Sequence, residues 1–280
     1  CAFSGNSAKQ AGGGMYNNNS DPTVTNCTFF ANSIPVGGDA GGGMYNSGGN
    51  PAVANCTFSG NEAYAGGGMC NESSTPAVMN CTFSGNTADV GGGMSNFNSS
   101  PTVTNCIFWN GSGGEISNFG STLDVSYCVV SGDDVGTGTV SSDIISADPL
   151  LGSLAYNGGP TKTHALSAGS SAIDAASPDI APDRDQRGVA RPQGSAFDIG
   201  AYEYWEKKIL TVQVDDAGIA GNGFVTRSPK GDVVGTTGKC WGYPNGTSVT
   251  LFAVEESRDW FVTWSGDASG TTSTASVTMS

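Results

Sequence analysis

Positive charge is almost missing from the first half of this sequence. Between residues 1 and 161 the one Lys or Arg is Lys9. Over the whole chain 11 cations face 25 acids, a net charge of −14. That balance excludes a nucleic-acid backbone or an anionic membrane surface as partner and leaves cations, basic proteins and neutral glycans. Histidine occurs once, at His164, so any chemistry that needs an imidazole must use that residue. No stretch approaches the roughly 18 apolar residues that span a bilayer, so no transmembrane segment is expected. A signal peptide is also missing. Residue 1 is a Cys inside a repeat, so both ends read as cut from something longer, and Cys1 reads as a copy of the repeat cysteine rather than a lipid-modified terminus. Helical periodicity is absent from the first half.

What is present is glycine, 43 residues of it, and a repeat. Aligned on cysteine, the copies start at Cys1, Cys27, Cys56, Cys81, Cys106 and Cys128, with gaps of 26, 29, 25, 25 and 22 residues. A period in this range marks a solenoid. Each copy reads roughly C-T-F-S-G-N, then G-G-G-M-x-N, then P-x-V-x-N, with short apolar pairs separated by turn residues. Short strands and tight turns are expected, without a helix. The fold class is therefore mainly β: a right-handed parallel β-helix followed by a small C-terminal β domain.

Stacked coils place equivalent residues above one another, about 4.8 Å apart. Phe3, Phe29, Phe58, Phe83 and Phe108 form one inward column. Met15, Met44, Met69 and Met94 form a second, and Val24, Val53, Val78, Val103 and Val125 a third, beside Cys27, Cys56, Cys81 and Cys106. Each such side chain contributes roughly 1.5–3 kcal/mol by burial, and only the stack closes a core. Val24 and Cys27 are three apart, so a bend must separate them. Asn26, Asn55, Asn80 and Asn105 supply it, because Asn tolerates the left-handed conformation. These asparagines are also expected to hydrogen-bond as a ladder, while Thr28, Thr57 and Thr82 face outward.

The ladder makes the N-C-T triplets poor glycosylation acceptors. One cysteine per coil gives no metal-binding pair, and in-register Cβ atoms stand too far apart for a disulfide, so the thiols read as small buried hydrophobes. Ile107 interrupts the threonine row, which argues against an ice-binding face.

"FSGN" paired with "GGGM", from Phe3 to about Phe108, resembles the FxxN and GGA[ILV] motifs of the chlamydial polymorphic outer-membrane protein repeats. The resemblance implies a surface β-helix acting as an adhesin. The pattern departs at Gly111, where Asn is expected. Residues 143–205 resemble a choice-of-anchor Q domain, through Asp148-Pro149-Leu150, Asn157-Gly-Gly-Pro160-Thr161, Ala172-Ile173-Asp174, Asp185-Gln-Arg-Gly188 and Asp198-Ile-Gly-Ala-Tyr-Glu203. Such a domain ends β-helices in proteins tethered to the bacterial surface, and Leu150, Leu151, Leu154, Leu166, Ile173 and Ile199 are expected to cover the open last coil of the shaft, residues 1–142. Residues 206–280 alternate apolar and polar residues and resemble an internalin B-type repeat, with Val212, Val249, Leu251, Phe261, Trp264 and Val277 as core.

No catalytic residue is expected. The shaft lacks the cationic base that lyases of acidic polysaccharides use, and its acids (Asp21, Asp39, Glu62, Glu72, Asp89) are scattered rather than paired as glycoside hydrolysis requires. His164 is expected to be structural, since no GxSxG elbow accompanies it. The densest charge cluster, Asp183, Arg184, Asp185 and Arg187 with Arg191 nearby, reads as a salt-bridge knot. Calcium at Asp179, Asp183 and Asp185 is the alternative, and the arginines argue against it; otherwise no cofactor is expected. The reading is a non-catalytic bacterial protein, extracellular or on the cell surface, structural or adhesive. Its expected partners are host or matrix glycans or proteins, or itself by end-to-end assembly into filaments. The rival class is a glycan-binding or polysaccharide-degrading β-helix using Tyr16, Tyr45, Phe97 and Trp109.

Overall fold

The computed structural model describes residues 1–35, 40–133, 135–177, 179 and 181–205, and beyond them the backbone of six strands. The chain divides into two compact units, Cys1–Tyr204 and Trp205–Ser280.

The shaft of the first unit has three walls. The methionine wall stacks Met15–Asn18, Met44–Ser47, Met69–Glu72, Met94–Phe97 and Ile116–Phe119 in parallel. The valine wall stacks Thr23–Thr25, Ala52–Ala54, Ala77–Met79 and Thr102–Thr104. The phenylalanine wall stacks Ala2–Ser4, Thr28–Phe30, Thr57–Ser59, Thr82–Ser84 and Ile107–Trp109. At the fifth coil one continuous strand, Leu123–Val130, serves both the valine and the phenylalanine walls, and Thr139–Ile145 pairs with it as the last rung. The shaft thus runs three residues past the boundary expected at 142.

Register is like on like. Met44 pairs with Met69, Val53 with Val78 and Phe58 with Phe83. The five phenylalanine rings stack with centroids 4.5–4.7 Å apart and planes within 3–5°. Every ring from Phe29 to Phe108 is fully buried, as are Met44, Met69 and Met94. The glycine triplets let the walls close on this column: a Cβ on Gly68 would stand 2.5 Å from the Gly93 carbonyl oxygen and 2.8 Å from the Phe83 ring.

The segment after the last rung does not cover the coil end. It turns back and lies along the side of the shaft as a strap, over the phenylalanine wall and the bend beside it. Leu166, Ala172, Ala176 and Ile199 pack against Ile107 and Val129, while Leu150 stays 40% exposed. The physical reason is polar. The strap has little regular structure, so its main-chain groups need partners, and the asparagine and threonine columns offer side-chain partners coil after coil.

The second unit holds two three-stranded antiparallel sheets. One consists of Lys208–Thr211, Cys240–Tyr243 and Asp232–Val233, the other of Phe224–Ser228, Ser248–Val254 and Thr274–Thr278. The six core residues expected there lie outside the described side chains.

Candidate functional site

The strap-covered wall gathers most of the polar chemistry of the first unit. Asn26, Asn55, Asn80 and Asn105 make the bend, with φ of 47–54°. The expected ladder does not form along the column; a single contact, Asn105 Nδ2 to Asn80 Oδ1, spans 3.4 Å. The strap takes the asparagines instead. Asn105 exchanges hydrogen bonds with the Ser177 main chain, its Oδ1 accepting at 2.9 Å and its Nδ2 donating at 3.1 Å. Asn80 Nδ2 donates to the Asp198 carbonyl at 3.4 Å and Asn55 Nδ2 to the Arg184 carbonyl at 2.7 Å. Thr161 donates to the Asn26 carbonyl at 3.3 Å.

The threonines expected to face solvent are buried by the same strap, Thr57 completely. Thr57 Oγ1 donates to Gln186 Oε1 at 2.7 Å, and Gln186 Nε2 donates to Thr28 and Thr161 at 2.9 Å each. Thr82 Oγ1 accepts the Ala201 N–H at 3.0 Å. Gly200, at φ 96°, sits where a Cβ would meet Ile107 at 2.7 Å and Thr82 at 2.9 Å, so the strap can seat here only through a glycine.

Asparagine ladders do exist, in two other columns. Asn17, Asn46, Asn71 and Asn96 each donate Nδ2 to the Oδ1 of the next asparagine at 2.8 Å, and the series ends at Asn118. Asn6, Asn32 and Asn61 do the same at 2.9 Å in a series that ends at Asn86, and each receiving Oδ1 also accepts the main-chain N–H of the preceding asparagine. The signal for both was visible as the Asn ending "FSGN" and the Asn two places after each Met. At Gly111, where the second series breaks, Glu115 fills the gap. Its Oε1 accepts the Gly111 N–H at 2.8 Å, and a Cβ on Gly111 would stand 2.7 Å from its Oε2.

The cysteines form a thiol column. Cys27, Cys56, Cys81, Cys106 and Cys128 each donate to the carbonyl two residues back, at 3.1–3.3 Å. Every described cysteine is free, and burial pushes the Cys56 and Cys106 thiols well up, so they are inert at neutral pH.

The salt-bridge knot has a different membership from the one expected. Asp183 and Arg184 lie at the surface, and Arg184 donates only to the Gly188 carbonyl, at 2.7 Å. Asp185 pairs with Arg187 at 2.6 Å, and Arg191 with Glu203 at 3.0 Å, both buried. Arg187 also lies 3.6 Å over the Tyr202 ring. Arg191 donates to the Asp198 and Gly200 carbonyls, at 2.8 and 2.7 Å. Asp198 accepts the main-chain N–H groups of Asp174 and Tyr204. Burial, reinforced by the Glu203 charge, raises Asp198 to about 7. Asp198 and Glu203, landmarks of the motif at 198–203, are thus members of the knot. At the place considered for calcium, the oxygens of Asp185 accept from Arg187 and from the N–H groups of Arg187, Val189 and Glu203.

His164 joins strap to shaft. Its Nδ1 lies 2.7 Å from the Gly152 carbonyl and its Nε2 3.0 Å from Ser59 Oγ. The orienting partner of a catalytic triad would be a carboxylate; here it is a carbonyl. Among the aromatics proposed for sugar stacking, Tyr16 is 53% exposed, but Tyr45 is buried with its hydroxyl on Glu72. Trp109 packs under the strap. Phe97 stacks on Phe119 at 5.1 Å, ring face to ring face, so its face toward Phe119 is not free for a sugar.

Parallel walls wound coil upon coil, with identical side chains in register, define a β-solenoid. The chain belongs to the right-handed β-helix family: the model of its right handed beta helix region matches residues 1–143. No curated protein and no solved structure matches the chain.

Proposed function

We propose that this protein is a non-catalytic solenoid, secreted or displayed on a bacterial surface, with a structural or adhesive role. The observation that carries this reading is where the polar side chains of the repeat go. The buried asparagines and threonines are taken up by ladders and by the strap, the column thiols bond to carbonyls of their own coils, and Asp21, Glu62, Glu72 and Asp89 stand exposed, one or two to a coil. A hydrolase of sugars needs two carboxylates held at a fixed separation, and this arrangement favours a rigid scaffold. The likeness of "FSGN" and "GGGM" to chlamydial surface repeats supports the adhesive version. Matrix or host proteins and glycans are the partners proposed, together with self-association that rises with salt as the acidic shafts are screened.

One observation favours glycan binding as the second reading. Tyr156 is 70% exposed, and the Lys162 ammonium lies 5.6 Å from its ring and 5.5 Å from that of Phe30. A glycan array read together with a reducing-sugar assay separates the classes. Binding without turnover, abolished by Tyr156→Ala, selects the second reading; release of reducing ends overturns the first. Fractionation of the producing cells tests the location.

A further inference from the structure

The chemistry of His164 extends beyond holding two elements together. Residues 151–166 form a hairpin, with bridges Leu151–Leu166 and Ala155–Thr163 and a turn at Asn157-Gly158-Gly159-Pro160. Alternate residues of its second strand meet the shaft in succession: Lys162 over Phe30, His164 on Ser59, and Leu166 in the cluster with Ile107 and Val129. His164 and Ser59 are both buried. A carbonyl can only accept, so Nδ1 carries the proton and donates to Gly152; Nε2 is then the acceptor for the Ser59 hydroxyl. Both ring nitrogens are satisfied by the neutral imidazole.

We propose that His164 is an acid-operated latch: its neutral ring pins the 151–166 hairpin to the shaft, and uptake of a proton releases the hairpin.

The Ser59 hydroxyl can turn to accept from a second ring N–H, but the surroundings offer the added charge no compensation. On the shaft side the facing residues are Ser59 and Phe30, both uncharged. On the hairpin the charged neighbour is Lys162, of the same sign, with neutral Tyr156 beyond it. From the 183–204 segment Gln186 reaches the Lys162 carbonyl with a neutral amide, and Arg187, a cation, donates to the Asn157 carbonyl at the hairpin turn at 3.2 Å. Burial holds the ring below its ordinary 6.5; the Gly152 hydrogen bond opposes this, and no charged group contributes. The linkage has one sign. A base whose folded value is depressed supports docking above 6.5 and loses that support as pH falls toward the folded value. In that window the opening constant of the hairpin rises by up to about tenfold per pH unit.

Because His164 is the only histidine, histidine-selective isotope labelling of the whole chain gives one imidazole signal. The expected result is an Nδ1-protonated neutral ring titrating below 6.5. Alongside it, amide exchange corrected for its intrinsic pH dependence should show the Gly152, Ala155 and Thr163 amides losing protection between pH 7.5 and 5.0 while the Phe83 and Val78 amides keep theirs. His164→Gln, which keeps a neutral donor and acceptor, should abolish the pH dependence of the hairpin amides. A ring that titrates at or above 6.5, or a hairpin equally protected at both pH values in the wild-type protein, overturns the proposal whether or not the variant folds.

Discussion

The shaft and the strap solve the same problem, finding partners for buried polar groups, by opposite means. In the ladder and core columns of the shaft a residue meets its own kind one coil away: ring on ring, amide on amide, thiol beside thiol. Interactions between nearest neighbours add up along the axis, and no residue is unique. In the strap almost every contact is unique. Gln186 bonds to two threonines from different coils and a third from the strap itself, Gly200 fits a gap between Thr82 and Ile107, and two arginines hold separate carboxylates. Repetition tolerates local error because the coils above and below remain; a unique contact has no substitute.

The sharpest test of that contrast is the phenylalanine column. Phe83→Ala removes a fully buried ring from between two stacked partners and should cost about 3–5 kcal/mol, read by urea unfolding. If repetition gives tolerance, the solenoid should still assemble, and exchange protection should fall most at the coils of Phe58 and Phe108. Complete loss of protection along the shaft would show that the column acts as one cooperative unit. In the strap, Arg191→Ala leaves Glu203 buried without its cation, at a cost of about 3 kcal/mol. The double replacement Arg191→Met with Glu203→Leu should recover much of that loss. A double variant no better than the single one would mean that the Arg191 bonds to the Asp198 and Gly200 carbonyls, rather than the ion pair, hold this end of the strap.

The ladders give the next smaller effect. Asn71→Ala strands the Asn46 Nδ2 and the Asn96 Oδ1 in the interior, for about 2 kcal/mol. Asn26→Ala, at the exposed end of the bend column, should cost about 1 kcal/mol through its left-handed backbone alone. Equal losses at the two positions would erase the distinction between laddered and bending asparagines.

The same contrast explains what could be read from the chain. A column is periodic, so Phe29, Met44, Val53 and Cys56 were legible as soon as the copies were aligned, and the bend at Asn26 followed from Val24 and Cys27 being three apart. Asn17 and Asn32 belong to columns just as regular, with the same amide in copy after copy. The strap has no period. Nothing in "DRDQRGVARPQ" indicates that Arg191 meets Glu203 while Asp183 stays in water, because that choice depends on how the segment lies against a wall far away in sequence. The outward threonines were misplaced for the same reason: alternation sets the face of a strand, but what covers that face is a tertiary fact. Glu115 lies between these cases. The break at Gly111 was visible, whereas the residue filling it stands four places on.

The smallest effect expected separates the two halves of the strap by pH. The hairpin, held by His164, loosens in acid. The knot should respond in the opposite sense near neutrality. Asp198 is raised from 3.8 to about 7, so the folded knot holds a proton that the unfolded chain has released. That contribution is fully present below 3.8 and is lost as pH rises through about 7. Between pH 6 and pH 8 the loss amounts to about 1 kcal/mol. Asp198→Asn, which keeps an acceptor for the Asp174 N–H without a charge, should flatten this part of the pH profile. Exchange at the Ile199 and Gly200 amides, corrected for intrinsic rate, should accordingly accelerate from pH 6 to pH 8 in the wild-type protein while the hairpin amides slow. If both sets move together, the strap docks as a single body and the shaft is the only part of this unit divisible into independent steps.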